Sequence, residues 1–131
     1  MSESVLIDTH VLLWYDAAPE QLSPAVRALL QQRSTTVLVS AVSALEIAVK
    51  FRLGKLPQAE RLISRYGIAL ERYGFQELPL DSETALAVAA VVSDHADPFD
   101  RVLAAQALRL DVPLVTKDAV FRSIPALITL W

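Results

Sequence analysis

Residues 5–10 read Val5-Leu6-Ile7-Asp8-Thr9-His10, a short apolar run that stops at an acid and continues into a helical pattern. Two later β-branched runs, 35–39 and 112–116, have the same form, and helical periodicity again follows each. Strands that alternate with helices form a parallel sheet with helices on both faces. The sequence therefore predicts an α/β fold, in which two weaker runs, 74–78 and 126–131, supply the remaining strands.

Start signals precede the predicted helices. The residues that suit an N-cap are Ser23, Ser40, Asp81 and Asp97, two of them followed by proline. They predict helices over 25–32, 41–53, 85–92 and 99–110. Gly54 marks a stop after the second of these helices, and a further helical region over 58–73 is predicted to divide at Gly67.

The composition excludes several classes of protein. The 131 residues are 53% apolar and 21% charged, which suits a single domain over 1–131. The longest apolar run, 85–92, is far shorter than the roughly 20 residues that span a bilayer, so no membrane partner is expected. The apolar residues behind the high mean hydropathy of +0.39 are therefore expected in a core or an interface. The chain contains no cysteine, which excludes disulfides, thiolate zinc sites and cysteine nucleophiles and favours the cytoplasm. The opening Met1-Ser2-Glu3-Ser4 lacks the basic region of a secretory signal, and a net charge of −3 argues against a globally basic nucleic-acid binder.

Four acids occupy positions that a parallel sheet brings to one edge. Asp8 closes the first strand, and Asp118 follows the strand at 112–116 after a single lysine. Asp100 lies in the first turn of its predicted helix, and Glu46 lies two turns into the helix after the second strand. Open α/β sheets bind ligands beyond the carboxyl ends of their strands. We therefore expect these carboxylates to approach one another at that edge.

The helix around Glu46 is apolar around most of its circumference. Only Ser43, Glu46 and Lys50 form a polar stripe, at spacings of three and four residues. Such a stripe meets either solvent or a wet cleft. In the first case Glu46 and Lys50 are simply a surface ion pair.

Each acid taken singly also has a structural explanation. Asp97 suits an N-cap, with Asp100 in the positive first turn, and Asp8 and Asp118 are each placed to cap a helical turn. Together, however, three or four carboxylates at one edge repel one another unless a cation or a proton neutralises them. An oxygen-rich site without cysteine favours Mg²⁺ or Mn²⁺, and phosphodiester cleavage is the chemistry that such a site supports.

The acids stand in four motifs that resemble, in order, those of PIN-domain ribonucleases, in particular VapC-type toxins of type II toxin–antitoxin systems. The motifs are Val5-Leu6-Ile7-Asp8-Thr9-His10, Ser40-Ala41 leading to Glu46, His95-Ala96-Asp97-Pro98-Phe99-Asp100-Arg101, and Leu114-Val115-Thr116-Lys117-Asp118. The resemblance covers essentially the whole chain. It implies a PIN-like three-layer sandwich, with a central parallel sheet of about five strands and helices on both faces.

The resemblance also implies an activity and its residues. The expected activity is that of a Mg²⁺- or Mn²⁺-dependent endoribonuclease, with Asp8, Glu46, Asp100 and Asp118 as catalytic residues and metal ligands. Asp97 is assigned mainly to capping, although it could hold a metal-bound water. Thr9 and Thr116 are candidates to orient a carboxylate or a water.

Basic residues near the predicted edge are candidate RNA contacts. The phosphate-contacting set is Lys50, Arg52, Lys55 and Arg101. His10 and His95 flank acidic motifs and are in a position to touch RNA, but the sequence gives neither an obvious general-base partner, so a surface or packed role is expected for both.

The resemblance implies an RNA substrate, a VapB-type antitoxin whose C-terminal segment lies across the toxin, and a homodimer. The chain shows no DNA-binding motif, so operator recognition would fall to the partner. Large apolar residues of the first helix and of the central helical hairpin, the region around 53–73, either fill the core or mark such an interface. They are Trp14, Tyr15, Leu53, Leu56, Leu62, Ile63, Tyr66 and Tyr73.

Other classes of protein fit less well. A haloacid-dehalogenase-like phosphatase needs a second acid where His10 stands, and the paired acids and phosphoacceptor of a receiver domain find no match. No Gly-x-Gly-x-x-Gly follows the first strand, which disfavours a dinucleotide site. The remaining alternative is a catalytically inactive PIN-like scaffold, or a binding module built on the acid cluster.

Overall fold

The computed structural model describes residues 3–131. Met1 and Ser2, part of the opening stretch considered above, lie outside the described residues. No helix within 3–131 has the length and apolar character needed to cross a membrane.

A five-stranded parallel sheet forms the centre of the fold, in the order β3-β2-β1-β4-β5. The strands are β1 (Glu3–Ile7), β2 (Thr35–Ser40), β3 (Gln76–Leu78), β4 (Leu114–Val115) and β5 (Thr129–Leu130). β1 lies in the middle, paired with β2 from Glu3↔Thr35 to Ile7↔Val39 and with β4 at Leu6↔Leu114 and Ile7↔Val115. The arrangement confirms the predicted α/β class and the expected number of strands.

Seven α-helices connect and cover the strands over the described residues. They are α1 (Thr9–Ala17), α2 (Pro24–Gln31), α3 (Ala41–Arg52), α4 (Glu60–Ser64), α5 (Tyr66–Tyr73), α6 (Ser82–Ala87) and α7 (Pro98–Leu110), with 3₁₀ turns at Pro19–Gln21, Pro57–Ala59, Val88–Ala90 and Ala119–Ser123. Ser23, Ser40, Asp81 and Asp97 all accept backbone N–H groups as N-caps, as predicted.

Two helix boundaries differ from the prediction. The helix expected over 85–92 begins earlier and ends at Ala87, because Asp81 caps it and the chain turns extended at Val91. The central hairpin divides at Arg65, where φ is −137° and ψ is 28°, while Gly67 lies inside α5. Gly54 does stop α3, in the left-handed region at φ +76°.

The alternation of side chains along β1 builds a core on each face of the sheet. Val5 and Ile7 join the core cluster formed with α1, α2, α4 and α5. Leu6 points to the other face and packs into the cluster that contains Leu103 of α7. All three β1 side chains are fully buried. Successive strand residues point to opposite faces, so this pattern produces the three layers.

Most of the large apolar residues singled out in the sequence serve the core. Leu62 is buried, and Trp14, Tyr15, Leu56, Tyr66 and Tyr73 pack against the core while partly buried. Leu53 and Ile63 stay exposed. Leu53 continues a row on α3 with Leu45 and Val49, which are also exposed, so this part of the apolar surface of α3 faces outward, whereas Val42 and Ile47 are buried.

Candidate metal centre

The first acid, Asp8, connects β1 to α1 at the carboxyl edge of the sheet. It is the N-cap of α1, where its Oδ1 accepts the N–H of His10 at 3.2 Å. Its Oδ2 accepts the hydroxyl of Thr116 at 2.6 Å, and its own N–H donates to the carbonyl of Val115 at 3.0 Å. Asp8 is therefore held between the ends of β1 and β4 and is only 6% exposed.

The second acid, Glu46, lies on the inward face of α3. Its side chain is buried, and its Oε2 accepts a hydrogen bond from Lys50 Nζ at 2.5 Å. Its Oε1 is buried and has no hydrogen-bond partner among the described residues. Ser43, one turn earlier, is also fully buried. The stripe was expected to meet either solvent or a wet cleft; the burial of Ser43 and Glu46 excludes open solvent, and Lys50, whose side chain is 28% exposed, lies at the edge.

The third acid, Asp100, stands in the first turn of α7 beside the helix cap. Asp97 Oδ1 accepts the N–H groups of Phe99 and Asp100 at 2.9 and 3.3 Å. The Oδ2 of Asp100 contacts Nε2 of His95 at 2.6 Å. One ligand atom from each of His95, Asp97 and Asp100 lies within 4.8 Å of the other two. This spacing suits the coordination of a metal ion.

Asp8, Glu46, Asp97 and Asp100, called the acid cluster below, interact electrostatically. Burial raises the pKa of Asp100 to about 6, and the charges of Asp97, Asp8 and Glu46 add to the shift. Burial also raises the pKa of Asp8, again with a contribution from Glu46. Burial lowers the pKa of Lys50, but its hydrogen bond to Glu46 and the nearby acids raise it overall. The cluster therefore holds more negative charge than Lys50 neutralises.

The fourth acid, Asp118, lies at the rim of the cluster. It is exposed and caps the 3₁₀ turn through the N–H of Val120 at 3.0 Å. Its own N–H donates to the Thr116 hydroxyl at 3.1 Å, and the same hydroxyl donates to Asp8. Asp8 and Asp118 line a cleft of about 440 Å³ with His10, Trp14, Lys117 and Ala119. Asp8 and Asp118 are the two of the four acids that line this cleft.

Residues 5–127 match the PIN domain family. The chain is 32% identical to Ribonuclease VapC22 of Mycobacterium tuberculosis over 130 residues, 98% of each protein. The chain belongs to the PIN-domain family. It is also 42% identical to Ribonuclease VapC16 of the same organism over 72 residues, 55% of this chain and 48% of that protein. A crystal structure of VapBC2 from Rickettsia felis, bound to a DNA fragment from its promoter, shares the fold with a TM-score of 0.67, covering 97% of each chain at 16% identity. These findings confirm the resemblance to VapC-type PIN domains.

Thr9 and Thr116 lie behind the carboxylates of this PIN domain. The hydroxyl of Thr9 is 2.8 Å from that of Ser43, in a buried contact that ties α1 to α3. Thr116 bridges Asp8 and Asp118, as described above. Thr116 thus hydrogen-bonds directly to the Asp8 carboxylate, whereas Thr9 joins α1, which Asp8 caps, to α3, which carries Glu46.

The basic residues predicted to contact RNA occupy three different environments. Lys50 is hydrogen-bonded to Glu46 within the acid cluster. Arg52 and Lys55 are exposed at the end of α3. The two terminal nitrogens of Arg101 instead donate to four backbone carbonyls of the segment before α7. These bonds occupy all four N–H groups of the two terminal nitrogens, and contact of Arg101 with RNA stays a prediction.

The sequence did not predict the positions of two residues at the site, His95 and Lys117. His95 was expected to have a surface or packed role but contacts Asp100, because the chain turns at Asp97-Pro98 and folds back over the helix start. Lys117 was only a spacer before Asp118, yet it lines the cleft with its Nζ 6.0 Å from the centroid of the Trp14 ring. Its position directly after a strand, at the binding edge of an α/β sheet, was the available signal.

Proposed function

We propose that this PIN domain is a Mg²⁺- or Mn²⁺-dependent endoribonuclease and the toxin of a type II toxin–antitoxin module, with 1–131 acting as one nuclease domain. The single observation that carries the metal requirement is Glu46 Oε1. A buried carboxylate oxygen without a hydrogen-bond partner is costly, and a cation satisfies it. The name of the relative VapC22 supports the ribonuclease activity.

The donor set fits a hard divalent ion. Asp8, Glu46, Asp100 and Asp118 would hold it, directly or through water, with His95 and Asp97 adjoining Asp100. Carboxylate oxygens are the ligands that Mg²⁺ and Mn²⁺ prefer. The raised pKa values of Asp8 and Asp100 are consistent with this, because burial is their main cause, neighbouring acids add to them, and a bound cation stabilises the ionised form of a buried carboxylate.

The side chains of the chain prepare the site for cleavage. Thr116 fixes one oxygen of Asp8, and the ammonium of Lys50 fixes one oxygen of Glu46, so each carboxylate keeps its other oxygen oriented. When bound, the ion would lower the pKa of a water and polarise the phosphodiester. Lys117 at the cleft, with the exposed Arg52 and Lys55, supplies cations for the phosphates of the RNA.

The proposal is tested with purified protein and a panel of structured RNAs in Mn²⁺, Mg²⁺ or EDTA. We expect endonucleolytic fragments only with the metal, and their loss in Asp8→Asn. Asp111→Asn is the matched control, because Asp111 is exposed at the far end of α7 and its left-handed φ of 54° accepts asparagine. If neither metal promotes cleavage, the inactive scaffold or acid-cluster binding module becomes the better description.

We propose a VapB-type antitoxin as the protein partner and the cytoplasm as the location. A VapBC2 complex is the structural relative described above, and the cysteine-free composition suits a reducing compartment. The partner's C-terminal segment would lie across this chain, and toxin subunits would dimerise. Co-expression with the product of the adjacent small open reading frame tests this, since a stable co-purifying complex that suppresses cleavage is expected.

A further inference from the structure

The segment between α6 and α7 is wrapped around one guanidinium group, that of Arg101. Its Nη2 donates to the carbonyls of Val88 and Val91 at 3.1 and 2.7 Å. Its Nη1 donates to those of Ser93 and His95 at 3.0 and 3.2 Å. The four hydrogen atoms of the two terminal amino groups are matched by four carbonyl acceptors along eight residues of chain.

The wrapped segment has little regular structure of its own. The 3₁₀ turn ends at Ala90, and the chain is then irregular up to Pro98, where α7 begins. Within it, Val91 is buried in the core, whereas Val92 and Asp94 are exposed. Backbone carbonyls in such a segment need partners from elsewhere, and Arg101 provides them from a rigid helix.

The same segment delivers the groups that adjoin Asp100. His95, whose carbonyl Arg101 holds, places its ring Nε2 at 2.6 Å from Asp100 Oδ2. Asp97 ends the segment, and its carbonyl accepts the backbone N–H of Arg101 at 3.1 Å. Arg101 follows Asp100 directly on α7. Arg101 therefore holds the segment beside Asp100 through four hydrogen bonds, together with the buried side chain of Val91 and the Asp97 cap.

We propose that Arg101 is a positioning residue of the metal centre, whose guanidinium holds the 88–97 segment so that His95 and Asp97 meet Asp100. The inference rests on the proposed function, because it concerns the same site. It is an alternative to the RNA-contacting role that the sequence suggested for Arg101. A lysine cannot substitute well, since its single ammonium offers three donors from one point rather than a planar fork that reaches four carbonyls.

The test measures Mn²⁺ binding to the whole chain by isothermal titration, alongside amide hydrogen exchange without metal. Arg101→Ala should raise the Kd for Mn²⁺ by about ten- to hundredfold, the range typical when a group that orients metal ligands is removed. Exchange should accelerate over residues 91–97 and stay unchanged in β1. Arg109→Ala is the matched control, because Arg109 lies on the same helix but its Nη2 pairs with Glu83 at 2.8 Å on the surface; its Kd should equal that of the wild type.

Two further measurements separate positioning from general stability and from RNA contact. Millimolar guanidinium should restore part of the Mn²⁺ affinity of Arg101→Ala, and Arg101→Lys should remain impaired while folded. The salt dependence of RNA binding should keep the wild-type slope, because no phosphate contact is lost. These results would support the positioning role even if Arg101→Ala is less stable than the wild type.

The opposing outcomes are distinct. A wild-type Kd for Mn²⁺ in folded Arg101→Ala or Arg101→Lys would overturn the inference, as would a reduced salt slope for RNA, which would return Arg101 to the phosphate contacts. If the wild-type protein itself bound no Mn²⁺, the proposed function would fail first, and the inference with it. If the wild type binds Mn²⁺ and the Arg101 variants bind it with the same Kd, the positioning role of Arg101 is refuted while the proposed function stands.

Discussion

Asp100→Asn should make the metal-free protein more stable at neutral pH, although it removes a proposed ligand. In the folded chain burial raises the pKa of Asp100 from 3.8 to about 6, so its ionised form opposes folding. Asparagine is neutral and nearly isosteric, and its amide can still hydrogen-bond to His95. The variant therefore removes a destabilising charge and leaves the packing in place.

The magnitude follows from the pKa shift. At 1.36 kcal/mol per unit, the shift from 3.8 to about 6 corresponds to about 3 kcal/mol. The side chain is 14% exposed and water screens it in part, so we expect roughly 1–2 kcal/mol. For a chain of this size that is a rise in Tm of about 4–8 °C.

The sign also sets a pH window. Because the folded pKa lies above the unfolded value, the folded state binds more protons between pH 3.8 and about 6. In the wild type, the destabilisation caused by ionised Asp100 is complete above that window, decreases as the pH falls through it, and is absent below it. The advantage of Asp100→Asn should therefore vanish toward pH 4.

Thermal and urea unfolding in EDTA at pH 7.5 and pH 4 measure both effects. Asp94→Asn is the control, because Asp94 is an exposed acid in the same segment, and its variant should differ from the wild type by less than about 0.5 kcal/mol. An Asp100→Asn protein that is less stable than the wild type at pH 7.5 would refute the reasoning, and Asp100 would then be a structural residue.

Three further predictions concern the metal and the RNA. Mn²⁺ at a hundred times its Kd should stabilise the wild type by about 2.7 kcal/mol, while Asp8→Asn should gain far less in the same thermal titration. The affinity for Mn²⁺ should fall as the pH drops through about 6, because the ion must displace the proton of Asp100, and isotherms at pH 5 and 7.5 that agree would contradict this. Lys117→Ala should lower the slope of log K against log salt for RNA binding by about one, whereas Arg33→Ala, at the opposite edge before β2, should not change it.

The sequence determined the elements and the identity of the acids. Short apolar runs ending in polar residues correspond to β1, β2 and β4, the two weaker runs at 74–78 and 126–131 contain β3 and β5, and each residue chosen as an N-cap in the sequence caps a helix. These features are local, because a cap or a strand end depends on a few neighbouring residues. The order of the acids along the chain was likewise enough to indicate one edge of a parallel sheet, where Asp8 and Asp118 line one cleft.

The direction of α3 and the partners of the charged groups depended on the tertiary structure. Periodicity places Ser43, Glu46 and Lys50 on one face, but only packing turns that face inward and leaves Leu45 and Val49 exposed. Which side chains of a largely apolar helix are buried is decided by what the rest of the chain presents to it, here the buried contact of Thr9 with Ser43. Likewise, the sequence does not distinguish an arginine that is free to bind RNA from one whose guanidinium is bound by backbone carbonyls. The hydrogen bonds of Arg101 reach residues six to thirteen positions away, so they depend on the path of the segment around it.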